Sequence, residues 1–218
     1  MGHEVVKLYI GRKRKEFTIH KKLLCDQIDF FSKKFNGRTQ EAKTGVMYLP
    51  EDHPDEFASL IDFLYRGAAP DWEAARDPTF SGVGLNFLAE KYCMPELQDR
   101  TVDAIRALHR MKNMCYSTEQ IDDIFHSGSK DNKLRLLAVA EVAFRVRHYI
   151  GDKDRGYWYL ELSKTCPEFF VDLFRFQIKY AWHLEKKQYH WSDALAHLDP
   201  CTFHVHENDA ACYLKKAS

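Results

Sequence analysis

Apolar and polar positions alternate near the start of the chain and then change period. In Val5–Ile10, Val6, Leu8 and Ile10 alternate with Val5, Lys7 and Tyr9, and Phe17 and Ile19 lie on one side of the segment 16–20. Two period-two runs joined by a basic turn, 11–15, predict a β-hairpin. From His20 onward, Leu23, Leu24, Ile28, Phe30, Phe31 and Phe35 follow helical spacing, so the strand-to-helix joint falls at His20 and Lys21. Residues 36–45 form a polar stretch that reads as a loop, and "VMYLP" reads as a third short strand stopped by Pro50.

Further along, the helix signals are stronger. Pro54 stands at a first helical position, Asp55 and Glu56 follow in the first turn, and Gly67 lies just past the end. Phe57, Leu60, Ile61 and Leu64 form the buried stripe of that helix. The segment 68–82 is an irregular connection, and Pro95 divides two further helices, with Leu85, Leu88, Ala89 and Tyr92 inward on the first and Leu97, Val102, Ile105 and Leu108 on the second. Leu134, Leu137, Val142, Phe144, Val146 and Ile150 mark a helix over about 132–149. Pro167 separates helical stretches around "YWYLEL" and "EFFVDLFRFQIKYAW". These aromatic-rich stretches hold more large apolar groups than one helix face can bury, which leaves material for core or for a partner.

Composition narrows the function classes. The 218 residues are 45% hydrophobic and 29% charged, as in a folded chain. Lys and Arg number 32, as do Asp and Glu. This balance removes the general attraction that drives non-specific binding to nucleic acid or anionic membrane, so neither partner is expected. The opening residues lack the order of a secretory signal and no apolar run is long enough to span a bilayer, which points to a cytoplasmic or nuclear location. Six cysteines should then be reduced thiols or metal ligands, with Cys25, Cys93, Cys115 and Cys166 reading as small core fillers.

The wording of "VKLYIG", "FTIHKKLLC", "DFFSKKF", "VMYLPEDHPDEFASLIDFLYRG" and "LAEKYCMPEL", in that order, resembles the BTB/POZ domain, in particular the small BTB proteins of filamentous fungi. The resemblance covers Val5 to about Leu108. It implies an α+β fold, a small three-stranded sheet capped by helices, here followed by an α-helical extension: a domain at 1–110, an extension at 111–198 and a Cys/His-containing tail at 199–218. The function it implies is a protein-binding one, self-association or partner scaffolding, without catalysis. His20 and Lys21 become an architectural pair, the histidine bonding local backbone. Leu23 and Leu24 fall on the surface where many relatives pair with a second copy, and Phe30 and Phe31 in the helical hairpin against the sheet; with Thr39 and Glu41 these four are the residues the resemblance offers for meeting partners. Only residues 1–4 precede the first strand, so strand exchange between protomers is not expected, whereas homodimer pairing through helices is. Relatives that recruit Cullin-3 ubiquitin ligases carry a hydrophobic-x-Glu element before the third strand. The nearest match, Thr39, Gln40, Glu41, keeps the acid but has a polar threonine at the anchor, which argues against the adaptor role.

One stretch carries metal-ligand grammar. In "CTFHVHENDAAC", Cys201, His204, His206 and Cys212 supply the two thiolates and two imidazoles that zinc takes in closed structural sites. On an extended segment His204 and His206 face one way, and Cys201 approaches through a turn. No cofactor beyond such a zinc ion is expected. His183, His190 and His197 recur every seven residues, a rise of about 10 Å on a helix, too far for one ion. "GRKRK" reads as a solvated turn. "GVG" at 82–84 lacks the third glycine and preceding strand of a dinucleotide fingerprint. No nucleophile elbow, Walker loop or His-Glu-x-x-His helix is present.

Overall fold

The computed structural model describes residues 2–67, 82–148, 160–180, 195, 198–206 and 212–215. The chain divides into two compact units, Met1–Thr101 and Val102–Ser218, the cut falling inside one helix.

In the first unit, β1 (Val5–Ile10) pairs antiparallel with β2 (Lys15–His20), Val6 opposite Ile19 and Leu8 opposite Phe17. The parallel partner on its other side is β3 (Val46–Leu49), giving the order β2-β1-β3. Gly11 at φ 72° makes the turn of the hairpin, where its N–H reaches Leu49 O at 2.9 Å. Val6, Leu8, Ile10, Ile19 and Met47 are buried, as the alternation requires.

Helix α1 (Lys21–Gln27) and helix α2 (Asp29–Asn36) replace the single helical run that the spacing suggests, because Ile28 adopts an extended backbone between them (φ −132°, ψ 106°). The polar loop also contains structure: Thr39 accepts the Ala42 N–H and Gly45 closes the turn at φ 68°, making the five-residue α3 (Gln40–Thr44). Helix α4 (Pro54–Arg66) begins at its proline and ends on Gly67 at φ 67°. Helix α5 (Val83–Lys91) and helix α6 (Pro95–Lys112) complete the series, α6 crossing the cut between the units.

An aromatic cluster forms the interior of this unit. Phe31 lies 6.3 Å from Phe57 and 5.1 Å from Tyr92 between ring centroids, Phe57 lies 6.5 Å from Tyr92, and Phe17 lies 5.7 Å from Phe57. Ile19, Phe31, Phe57 and Leu88 are all buried. The Tyr92 hydroxyl donates to Asp52 at 2.5 Å, and Lys91 Nζ meets the other oxygen of that carboxylate at 2.5 Å. Burial, then the bond to Asp52, pushes the Tyr92 phenol far above its ordinary range, so it remains a donor.

The second unit is helical. A capping box of Ser117 and Gln120 starts α7 (Thr118–Ser127). Asn132 accepts the Leu134 N–H at 2.9 Å ahead of α8 (Lys133–His148). Residues 160–165 are helical, and Pro167 opens the last helix, α9 (Pro167–Lys179). Edge contacts of Phe125 with Phe169 and of Phe144 with Phe176 join these helices. Leu134, Leu137, Val142 and Phe144 are buried, but Val146 is exposed. Ile150, the irregular connection 68–81, and the aromatic residues 157–159 lie outside the described residues. No helix among the described residues is long and apolar enough to cross a membrane.

Cys25 and Cys166 are buried, as core fillers should be. Cys93 is a correction: it sits exposed in the turn between α5 and α6 at φ 55°, its N–H bonded to Glu90 O. Cys115 is only half-buried, so it too is not a core filler.

Candidate functional site

Asp199 accepts the Cys201 N–H at 2.9 Å and thereby starts a single 3₁₀ turn, Pro200–Phe203. The turn closes with His204 N–H on Cys201 O at 3.2 Å and hands over to extended backbone at His204 (φ −103°, ψ 150°). This local geometry carries His204 and His206 to one side, ring centroids 5.2 Å apart, and folds Cys201 toward them. Cys212 joins from the following segment. One donor atom from each of Cys201, His204, His206 and Cys212 lies within 4.8 Å of the other three. His204 Nδ1 stands 3.2 Å from His206 Nε2 and 3.5 Å from Cys212 Sγ.

The opposite nitrogen of His204 faces α6. Nε2 lies 3.0 Å from Asp103 Oδ2, and the Tyr213 hydroxyl donates to the same oxygen at 2.5 Å. Arg106 holds Asp103 Oδ1 at 3.1 Å, donates to Leu195 O at 3.0 Å and lies 4.6 Å above the fully buried Phe203 ring. Burial of Asp103 works against its charge, but the bonds from His204 and Tyr213 outweigh it and hold the carboxyl below its usual range. Burial and the adjacent Cys212 push the Cys201 thiol up to about 11. Burial acts the same way on Cys212, but the Leu214 N–H and the hydrogen bonds of His204 and Cys201 prevail and lower it. Asp103 and Tyr213 carry no sequence signal of this role, since 101 residues separate Asp103 from His204. His183, His190 and His197 lie outside the described residues.

The residues expected to meet partners are scattered. Leu24 and Phe31 are corrections: both are at 0% exposure, locked in the interior of the first unit, and offer no surface. Leu23 is half-buried, and Phe30, at 38% exposure, rests its ring on Phe31 and Tyr92. Thr39 is neither an anchor nor a free side chain: its hydroxyl donates to Lys34 O and caps α3, while Glu41 lies half-buried in the first turn of that helix. His20 binds α4 instead of nearby backbone, with Nδ1 2.6 Å from the Tyr65 hydroxyl; Lys21 pairs with Glu4 at 3.0 Å. Both act in architecture.

A different surface stands out in the second unit. On α9, Phe169 and Phe176 are buried while Val171, Phe174 and Ile178 are 49, 65 and 80% exposed. Steps of about 100° per residue put those three on one outward stripe, with Arg175 and Lys179 along one edge. Beyond that edge lies an open pocket of about 300 Å³ lined by Lys130, Lys133, Arg135, Asp172, Arg175 and Lys179, among others. Arg135 pairs with Glu168 at 2.8 Å, but its buried Nε has no acceptor among the described residues. Five basic side chains face two acidic ones, Asp131 and Asp172, in this lining, which is basic on balance although Arg175 pairs with Asp172 at 3.2 Å.

Set against known protein families, residues 6–109 match the BTB/POZ domain.

Proposed function

Residues 6–109 are a BTB/POZ domain, a protein–protein interaction module, and from that premise we propose that the helical extension is the partner-binding element, taking an acidic amphipathic segment of another protein. The observation that carries this reading is the stripe of Val171, Phe174 and Ile178 beside a basic pocket. Full burial of a Val, Ile or Phe side chain is worth about 1.5–3 kcal/mol, so three neighbours supply a hot spot of ordinary size. Lys133, Arg175 and Lys179 favour carboxylates on the flank of the incoming segment and set its orientation. The module acts by presentation, without chemistry of its own. A Cullin-3 adaptor role has no comparable support, because Thr39, where an apolar anchor would be needed, uses its hydroxyl to cap α3.

Panning a random peptide library on the full chain tests the proposal. Enriched peptides should place apolar residues three and four apart with Asp or Glu on one flank, and should lose binding to Phe174→Asp or Ile178→Asp. Binding should also weaken in Lys133→Glu and as salt rises. Peptides that bind Phe174→Asp as well as the parent, or that carry basic flanks, would overturn it. So would a dimer in light scattering that Phe174→Asp converts to monomer, since the stripe would then belong to a second copy.

A further inference from the structure

We propose that Cys201, His204, His206 and Cys212 bind one zinc ion in a closed structural site that holds this stretch of the chain on α6 at Asp103. The donor set is chemically that of zinc: two soft sulfurs and two imidazole nitrogens, with no carboxylate among the ligands. Bonds of about 2.0–2.1 Å to nitrogen and about 2.3 Å to sulfur in a tetrahedron give edges of about 3.3 Å between two nitrogens and about 3.5 Å between nitrogen and sulfur. The His204–His206 and His204–Cys212 separations, 3.2 and 3.5 Å, are already of that size. The widest separation, within 4.8 Å, needs only a small inward movement of side chains.

A second observation, independent of the spacing, concerns His204. It turns Nδ1 toward the cluster while Nε2 faces Asp103 at 3.0 Å, so the carboxylate fixes the proton on Nε2 and leaves the Nδ1 lone pair directed at the other three donors. A histidine held by a carboxylate on its outer nitrogen is how proteins orient a metal-binding imidazole. Tyr213, one residue beyond Cys212, donates to the same carboxylate at 2.5 Å, so the ligand His204 and the neighbour of the ligand Cys212 are both tied to Asp103. Binding would release the two thiol protons to solvent, leaving two thiolates against the dication and a neutral centre. Four protein ligands fill the tetrahedron and leave no position for a substrate, which makes the ion a clamp for the tail.

Metal analysis of the full chain, expressed with zinc and purified under reducing conditions, tests this. One zinc per chain is expected, lost in Cys212→Ser and His206→Ala and kept in Cys93→Ser, whose thiol is not among the four donors. Replacement by cobalt(II) should give tetrahedral ligand-field absorption with a thiolate charge-transfer band. Asp103→Asn should weaken zinc about 10–100-fold in competition with a chelator; unchanged affinity would overturn the carboxylate–histidine–zinc arrangement. Should the ligand variants fail to fold, alkylation of the parent chain decides. Cys201 and Cys212 should be protected until a chelator is added, while Cys93 reacts throughout. Zinc no higher than in Cys212→Ser, or recovery of Cys201 and Cys212 as a disulfide without metal, would overturn the proposal.

Discussion

Gly84 on α5 borders the space that the Glu56 carboxylate of α4 fills: a methyl group at position 84 would stand 1.7 Å from Glu56 Oε1. The absence of a side chain at 84 thus lets an acid of the neighbouring helix lie against α5. Gly84→Ala gains about 1 kcal/mol of helix propensity, but overpacking costs about 1–3 kcal/mol while Glu56 keeps its place. In a Glu56→Ala background the collision disappears, and Gly84→Ala should stabilise by about 1 kcal/mol. Urea titration of the four-member cycle measures this coupling; additive effects would show that the two residues do not compete for space.

Glu56 also has a pH signature. Burial, aided by Asp52 and Asp55 and opposed by His53, raises its carboxyl pKa above the ordinary 4.5. The fold therefore favours the protonated acid: the stabilising effect is complete below the unfolded value and is lost as pH rises through the folded one. At neutral pH the carboxylate is a liability that Glu56→Gln removes. The variant should be more stable than the parent at pH 7, with the gap closing below about pH 4.5. A gap that is constant with pH would mean that the charge of Glu56 has no part in it.

How much of this was legible in the sequence depended on distance along the chain. Alternation in β1, and Pro54 and Gly67 at the ends of α4, are local signals, and the structure follows them. The break at Ile28 has no punctuating residue, and the five residues of α3 are too few to set up a period, so neither was visible. His204 and His206 are near neighbours and could be read as a pair; Asp103 and Tyr213, 110 residues apart, meet only in the folded chain. Leu24 and Phe31 illustrate another limit. Helical spacing identifies an apolar face, but only packing decides whether that face meets the molecule's own core or a partner.

Thr39 gives a direct test of capping against anchoring. Its hydroxyl accepts the Ala42 N–H at 3.1 Å and donates to Lys34 O. Thr39→Ala should cost about 1 kcal/mol, and Thr39→Ser should retain most of the stability. Thermal unfolding of the two variants measures the difference. Equal values for alanine and serine would remove the cap as the reason for threonine at this position.

A buried acid organises the second unit. Glu141, fully buried on α8, accepts at 2.8 Å from His109 Nδ1 on α6 and at 3.4 Å from the Tyr116 N–H. Glu141→Ala leaves both groups without that acceptor, at about 1–3 kcal/mol each. The Tyr116 hydroxyl is the converse case: it is buried with no hydrogen-bond partner among the described residues. Tyr116→Phe removes a desolvated group and should leave stability unchanged or raise it by about 1 kcal/mol. Chemical denaturation of both variants checks the pair; a marked loss in Tyr116→Phe would reveal a partner for that hydroxyl.

Phe31 and Phe174 are the same amino acid in opposite situations, one at 0% exposure within the ring cluster of the first unit and the other at 65% on the outward stripe of α9. Truncating a buried phenylalanine loses its transfer energy and leaves a cavity, so Phe31→Ala should cost about 3–5 kcal/mol. The ring of Phe174 is already largely in water, and Phe174→Ala should change stability by no more than about 0.5 kcal/mol. Denaturant midpoints of the two variants, measured with unchanged slopes, make the comparison. A loss of several kcal/mol in Phe174→Ala would mean that its ring is packed in the folded chain, and the partner-binding role of α9 would fall with that result.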